Sequence, residues 1–227
     1  MKKTNIIYAA IILSAVFLSS CGGNKADDKT HDIKDSVKTG KTIGNLKKAI
    51  TGETTAKAKY KMFSEKAKEE GYDEIAGLFA ATSRAESIHA DNNMKALEKM
   101  GEKFDTEADS FEVKSTKENM EAAIKSESYE VENMYPDFIK TAEAEQADDA
   151  KKSFNWAIET EKKHIELFQK TLDALTNKKE KELSMDYCVC PKCGNTYIAA
   201  DIEEICEFCG TGKDKFIGIS WKDVNRK

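Results

Sequence analysis

The sequence predicts an all-α bundle of four helices followed by a small β/loop domain built around cysteines. Three observations carry that reading. From about Lys41 to Asn177 apolar residues recur every three or four positions, the period of an amphipathic helix. The chain of 227 residues has only two prolines, is 34% charged and 40% hydrophobic, a profile of helices rather than of disorder or a β-sandwich. Five of the six cysteines fall between Cys188 and Cys209. The 41 acidic and 36 basic side chains leave a net charge of −5, spread evenly, so no basic face stands out and no nucleic-acid partner is expected.

At the N-terminus Lys2 and Lys3 precede an apolar run from Ile6 to Leu18. That run is short for a membrane span and has the length of a secretory h-region. Leu18-Ser19-Ser20-Cys21-Gly22 resembles a bacterial lipobox. The resemblance implies a signal peptide over residues 1–20, lipidation of Cys21, and an exported lipoprotein held to the membrane on its periplasmic or cell-surface face. An uncleaved anchor, or an ordinary signal with an incidental cysteine, is the alternative. Residues 21–40 are polar and lack the apolar surface needed to fold, so they read as a tether.

Four helices are expected over residues 41–177, with breaks near Gly71, from Gly101 to Ser110, and from Gln146 to Asp149. Their apolar stripes carry acids. The first runs Leu46, Ile50, Glu53, Tyr60, Phe63; the second Ile75, Leu78, Phe79, Thr82, Glu86, His89, Leu97. The third holds Ala123, Ile124, Glu127, Glu130, Val131, Met134 and Phe138; the fourth holds Phe154, Ile158, Glu161, His164, Ile165, Phe168 and Leu172. Five carboxylates in one apolar core repel one another, and each costs several kcal/mol of desolvation if unpaired. No lysine or arginine lies on these stripes to answer them. Two iron ions would supply about +4 to +6 and accept oxygen and imidazole ligands together. Any one of these acids taken alone is more simply a solvated or snorkelling side chain, and a lone histidine a hydrogen-bonded core residue.

Glu86-Ser87-Ile88-His89 and Glu161-Lys162-Lys163-His164 are both Glu-x-x-His, which places carboxylate and imidazole on one helix face. With Glu53 and Glu127 on the other two helices, the set resembles that of ferritin-like di-iron carboxylate proteins. Ser126-Glu127-Ser128-Tyr129-Glu130, followed by Met134-Tyr135-Pro136, is similar to the third-helix signature of rubrerythrins, with its second glutamate three residues on. That resemblance implies a ferritin-like fold and two non-haem irons held by Glu53, Glu86, His89, Glu127, Glu130, Glu161 and His164. It also implies that Glu130 and His89 exchange places on one iron with redox state, and that Tyr60 and Tyr135 hydrogen-bond beside the site. Core tyrosines with satisfied hydroxyls are the plainer reading of those two. Thr54-Thr55 departs from the family's more usual Ser-Gln or Asn-Gln.

The C-terminal domain is expected over residues 183–227, after a Lys/Glu-rich linker. Cys190-Pro191-Lys192-Cys193-Gly194 and Cys206-Glu207-Phe208-Cys209-Gly210 form paired Cys-x-x-Cys-Gly turns, with twelve residues between Cys193 and Cys206. Two such turns build a closed tetrahedral sulfur site for iron or zinc; disulfides are a third possibility in an oxidising compartment. Tyr187, Tyr197, Phe216 and Trp221 are candidates for its small aromatic core, and Cys188 has no evident role. The resemblance favours iron, in a rubredoxin-like Fe(Cys)4 centre.

For function, the resemblance implies a peroxidase-type oxidoreductase that reduces hydrogen peroxide to water in oxidative-stress defence. Electrons would come from an unidentified donor through the rubredoxin-like centre, within a head-to-tail homodimer. Two other classes stay open on the residues alone: a ferroxidase or iron-handling protein with a structural zinc or iron tail, and an inert binding module.

Overall fold

A computed structural model describes residues 40–184 and 186–220. The expected signal segment, Cys21, nearly all of the tether, and Trp221 lie outside these residues. Helix α1 spans Gly40–Glu69, α2 Asp73–Lys99, α3 Thr116–Tyr129, α4 Tyr135–Ala144 and α5 Asp148–Thr176. Strands β1 (Asp186–Val189), β2 (Thr196–Ile198) and β3 (Ile217–Ser220) form an antiparallel sheet in the order β2-β1-β3. The architecture is a ferritin-like bundle of four helical rods with a small sheet-and-loop unit bearing a four-cysteine cluster.

Local chemistry sets the helix ends. Ser115 and Glu118 form a reciprocal capping box at the start of α3, and Glu70 accepts from the Thr116 N–H at 2.9 Å. Glu145 does the same for Thr42 at the start of α1, a carboxylate at the positive end of a helix. Between α2 and α3 the chain crosses the bundle surface and is tied to α1, where the Thr55 hydroxyl accepts from the Asp109 N–H. The residue that departs from the family pattern thus anchors this crossing.

The third rod is not one continuous α-helix. Glu130–Met134 form a π-helical turn, in which the Tyr135 N–H donates to the Glu130 carbonyl five residues back. Pro136 gives the reason: it has no N–H to continue an α-helical ladder, but is well suited to the first turn of a new segment. The widened turn brings Glu127, Glu130 and Tyr135 all into the interior, at 1%, 8% and 0% exposure.

Two aromatic layers bracket the centre of the bundle. Tyr60, Phe63, Phe79 and Phe168 pack with ring centroids 5.5 to 6.1 Å apart at one end. Tyr135, Phe138 and Phe154 do so at the other, at 5.5 to 6.3 Å. The sheet lies on this core. In β1 burial alternates with period two, so Tyr187 and Val189 point into the bundle while Cys188 faces away as a partly exposed free thiol. This corrects one expectation: Tyr187 belongs to the bundle's core, and the aromatic packing around the cysteines comes from Tyr197, Phe216, Phe208 and Trp156 of α5. Phe79→Ala empties the middle of the first aromatic layer and is expected to cost about 3–5 kcal/mol in denaturant unfolding; a loss below about 1 kcal/mol would mean that the layer does not carry the bundle.

Candidate metal centres

Between the aromatic layers all four rods turn an acid inward. Glu53 from α1, Glu86 and His89 from α2, and Glu161 from α5 bring one ligand atom each within 4.8 Å of one another. Glu86 and Glu161 also meet Glu127 from α3 and His164 from α5 within the same limit. The two groups of four share Glu86 and Glu161, so two adjacent ions would have these two carboxylates in common. Glu130 is buried among these acids but belongs to neither group.

The imidazoles show which atoms are offered. His89 Nε2 lies 3.1 Å from the Cys193 carbonyl oxygen, which can only accept, so Nε2 carries the proton. His164 Nε2 lies 3.0 Å from the Thr196 hydroxyl, whose own proton goes to the Gly194 carbonyl, so Nε2 donates here too. Both Nδ1 atoms therefore face the carboxylates: His89 Nδ1 at 2.9 Å from Glu86 and Glu161, His164 Nδ1 at 2.7 Å from Glu161 and 3.3 Å from Glu86. Fixing the tautomer through the outer nitrogen is how metal-binding histidines are oriented. Tyr60 donates to Glu127 and Tyr135 to Glu53, so each terminal carboxylate is held by a buried phenol.

Whether these residues suit a metal can be judged from their unmet demands. Glu53 Oε2, Glu86 Oε1, Glu127 Oε2, both Glu161 oxygens and His164 Nδ1 are buried without a well-aligned hydrogen bond, although the two histidines approach Glu161 to 2.9 and 2.7 Å. Without a cation, protons must answer the charge. Burial, with Glu86 and Glu161 adding to it, drives Glu53 well above the carboxylate range; burial with Glu53 and Glu127 does the same for Glu130. Burial, with Glu161 and Glu86, pushes Glu127 up to about 8. Burial alone would lower both histidines, but Glu161 beside His89 and Glu86 beside His164 hold them well above the usual imidazole range. Glu161 itself, against the effect of burial, is held down to about 2 by the two histidines. An oxygen-rich set with two imidazoles and this excess of negative charge is compatible with iron and fits two divalent ions.

The second centre lies in the small unit. Cys190, Cys193 and Cys206 are buried and Cys209 is partly exposed, with the four sulfurs gathered within 4.8 Å. The Cys190–Cys209 and Cys193–Cys206 sulfurs are 3.4 and 3.5 Å apart, far beyond a disulfide bond. The two turns are near copies: Gly194 N–H donates to Cys190 O and Gly210 N–H to Cys206 O, at 3.0 and 2.9 Å. Thr211 Oγ1 is 3.1 Å from the Cys209 sulfur, and the Tyr197 hydroxyl donates to the Cys206 sulfur at 3.4 Å. Sulfur ligation of this kind accepts iron or zinc.

The two centres touch through one loop. Gly194, at φ +87°, turns the chain directly over His89, and a Cβ there would sit 2.4 Å from His89 Nε2. Periodicity exposed the ligand candidates, but this seam left no periodic signal; the only hint in the sequence is the glycine after Cys193.

A family model described as Rubrerythrin matches residues 44–172. Rubrerythrin-2 of Clostridium acetobutylicum is 34% identical over 184 residues, which cover 80% of this chain and 98% of that protein. Nigerythrin of Nitratidesulfovibrio vulgaris is 36% identical over 191 residues, covering 82% and 89%. A solved structure of fully reduced, all-ferrous nigerythrin superposes with a TM-score of 0.71 at 33% identity, over 78% of this chain and 86% of that one.

Two outcomes follow from the geometry. In metal-free protein Glu127 takes up a proton on folding at any pH between its ordinary 4.5 and about 8. Its contribution is therefore fully present below 4.5 and lost as pH rises through 8, and the raised histidines act in the same direction. Thermal melts in chelator should show the midpoint falling from about pH 5 to about pH 8, with a flatter profile after metal loading; equal slopes would refute the charge argument. Gly194→Ala should displace His89 and lower bundle metal content while leaving the cysteine site filled, as read by elemental analysis and visible absorbance.

Proposed function

The chain belongs to the rubrerythrin family, and from that premise we propose that it is a non-haem di-iron peroxide reductase that turns hydrogen peroxide into water in oxidative-stress defence. The observation that carries the proposal is the Cys193–His89 hydrogen bond. One short path runs from a cysteine sulfur through its own carbonyl and an imidazole to the carboxylate cluster. In this reading Glu53, Glu86, His89, Glu127, Glu130, Glu161 and His164 hold two irons, and Cys190, Cys193, Cys206 and Cys209 hold a third. The iron pair, when bound, supplies two electrons to an O–O bond, and the sulfur site supplies one-electron refilling.

The chain's own residues prepare the site. The aromatic layers exclude bulk water, which strengthens every charge interaction between them. Tyr60 and Tyr135 hold Glu127 and Glu53 at fixed angles and keep their protons, since burial and the neighbouring carboxylates raise both phenols well above their usual range. Glu130 has 8% exposure against 1% or less for the other six, so the way in from solvent passes beside it. Glu130 lies on the π turn, and in this reading it would be the residue that takes the place of His89 as a ligand when iron is bound.

A pure iron-storage role would leave the cysteine unit's seat on both histidines without purpose. The same proposal includes a lipid-anchored position outside the cytoplasm and, with it, a donor available there. A head-to-tail homodimer, with the cysteine unit of one subunit beside the bundle of the other, is part of the same proposal.

The test is anaerobic stopped-flow mixing of reduced, iron-loaded protein with hydrogen peroxide, following the visible bands of the ferric sulfur site. These bands should appear at peroxide stoichiometry, and Glu130→Ala should slow their appearance by about tenfold or more. A colourless zinc-bearing tail, or a faster reaction with dioxygen than with peroxide, would refute the reading.

A further inference from the structure

Trp156, half-buried on α5, packs inward against the cysteine cluster and outward forms a wall common to three adjoining surface hollows. Lys152 Nζ and Lys192 Nζ stand 4.9 and 5.6 Å from its ring centroid. Lys95 from α2 and Lys215 from the segment after Cys209 join Lys192 on the rim of the hollow beside the cysteine turns, which no acid lines; Lys152 lines the two neighbouring hollows, together with Glu98, Asp148, Asp149 and Glu159. All four lysines are exposed. Among the described residues none of them has a carboxylate within ion-pair distance, whereas nearby Lys99 and Lys151 are tied to Asp149 and Glu143 at 2.7 and 2.8 Å.

This basic hollow opens onto the sulfur site. Its floor is Pro191 of the first cysteine turn and Gly210, Thr211 and Gly212 after the second. Cys209, the partly exposed cysteine of the four, lies at that edge, where Lys192 Nζ reaches its carbonyl oxygen at 3.4 Å. Unpaired cations around an aromatic anchor, beside the accessible edge of an electron-carrying centre, have the form of a docking surface for an anionic partner.

We propose that an acidic one-electron carrier protein docks on this hollow and reduces the four-cysteine centre through the Cys209 edge. In the step one electron leaves the reduced carrier and converts the ferric sulfur site to ferrous; no bond is made or broken and no proton moves. The four lysines steer and hold the acidic face, and Trp156 provides the apolar contact. The proposal rests on the reading of the cysteine unit as an electron relay.

The experiment follows the ferric bands of iron-loaded, oxidised full chain as they are bleached by reduced flavodoxin, an acidic probe, from low to high salt and before any peroxide is added. The variant K95Q/K152Q/K192Q/K215Q should be reduced about tenfold more slowly at low salt and lose most of its salt dependence. Lys95→Gln with Lys152→Gln, both away from the cysteine turns, should show about a threefold loss. Reduction by the methyl viologen radical cation should not slow in either variant. A control with Lys57, Lys61, Lys125 and Lys170 changed to Gln should retain the wild-type rate. Unchanged flavodoxin rates in the two groove variants, or an equal loss in the control, overturn the proposal. So does lysine-dependent sedimentation with anionic phospholipid vesicles at unchanged flavodoxin rates. Because the reading is taken before peroxide, a protein that accepts electrons through the groove but ignores peroxide would sink the peroxide-reductase reading and leave the docking surface standing.

Discussion

The rest of the structure depends on one electrostatic constraint: five carboxylates and two imidazoles are enclosed where water cannot screen them. Leaving even one such charge unanswered costs several kcal/mol, a large part of the stability of a whole domain. The bundle is therefore arranged around the compensation of that charge. Aromatic layers seal the acidic layer from both ends, phenols fix the outer carboxylates, and the ligand atoms left without a well-aligned hydrogen bond mark where cations would sit. Protons can substitute for cations only by shifting several groups far from their ordinary titration ranges at once.

The cysteine unit adds to that arrangement rather than hanging from it. Its first turn supplies the acceptor that sets the His89 tautomer and, with Thr196, the one that sets His164. The linker after α5 contributes as well: Lys181 bridges back to the buried Glu74 at 3.1 Å, and Tyr187 and Val189 extend the bundle's own core. Treating the two parts as independent modules would miss that their cores are shared.

Much of this was legible in the sequence because helical period and ligand chemistry leave strong marks. Glu53, Glu86, Glu127, Glu130 and Glu161 stood out as acids on apolar stripes, and all are buried. What stayed hidden has physical reasons. The π turn is a backbone response to Pro136 that leaves the apolar pattern nearly unchanged. Tyr187 reads equally well as core for either part, and only the alternation of β1 against the bundle decides it. The lysines of the groove lie on α2, on α5, in the first cysteine turn and in the segment after the second, so an evenly charged sequence conceals a basic surface that exists only after folding.

The contact of Gly194 with His89 also bears on the order in which the protein matures. The loop that orients both imidazoles takes its shape from two turns whose four cysteine sulfurs are drawn together. Until those sulfurs are gathered, the histidines lack the acceptors that turn their free nitrogens inward. Ordering of the cysteine unit thus precedes completion of the bundle's centre, which takes the orientation of both histidines from a segment that follows it in the chain.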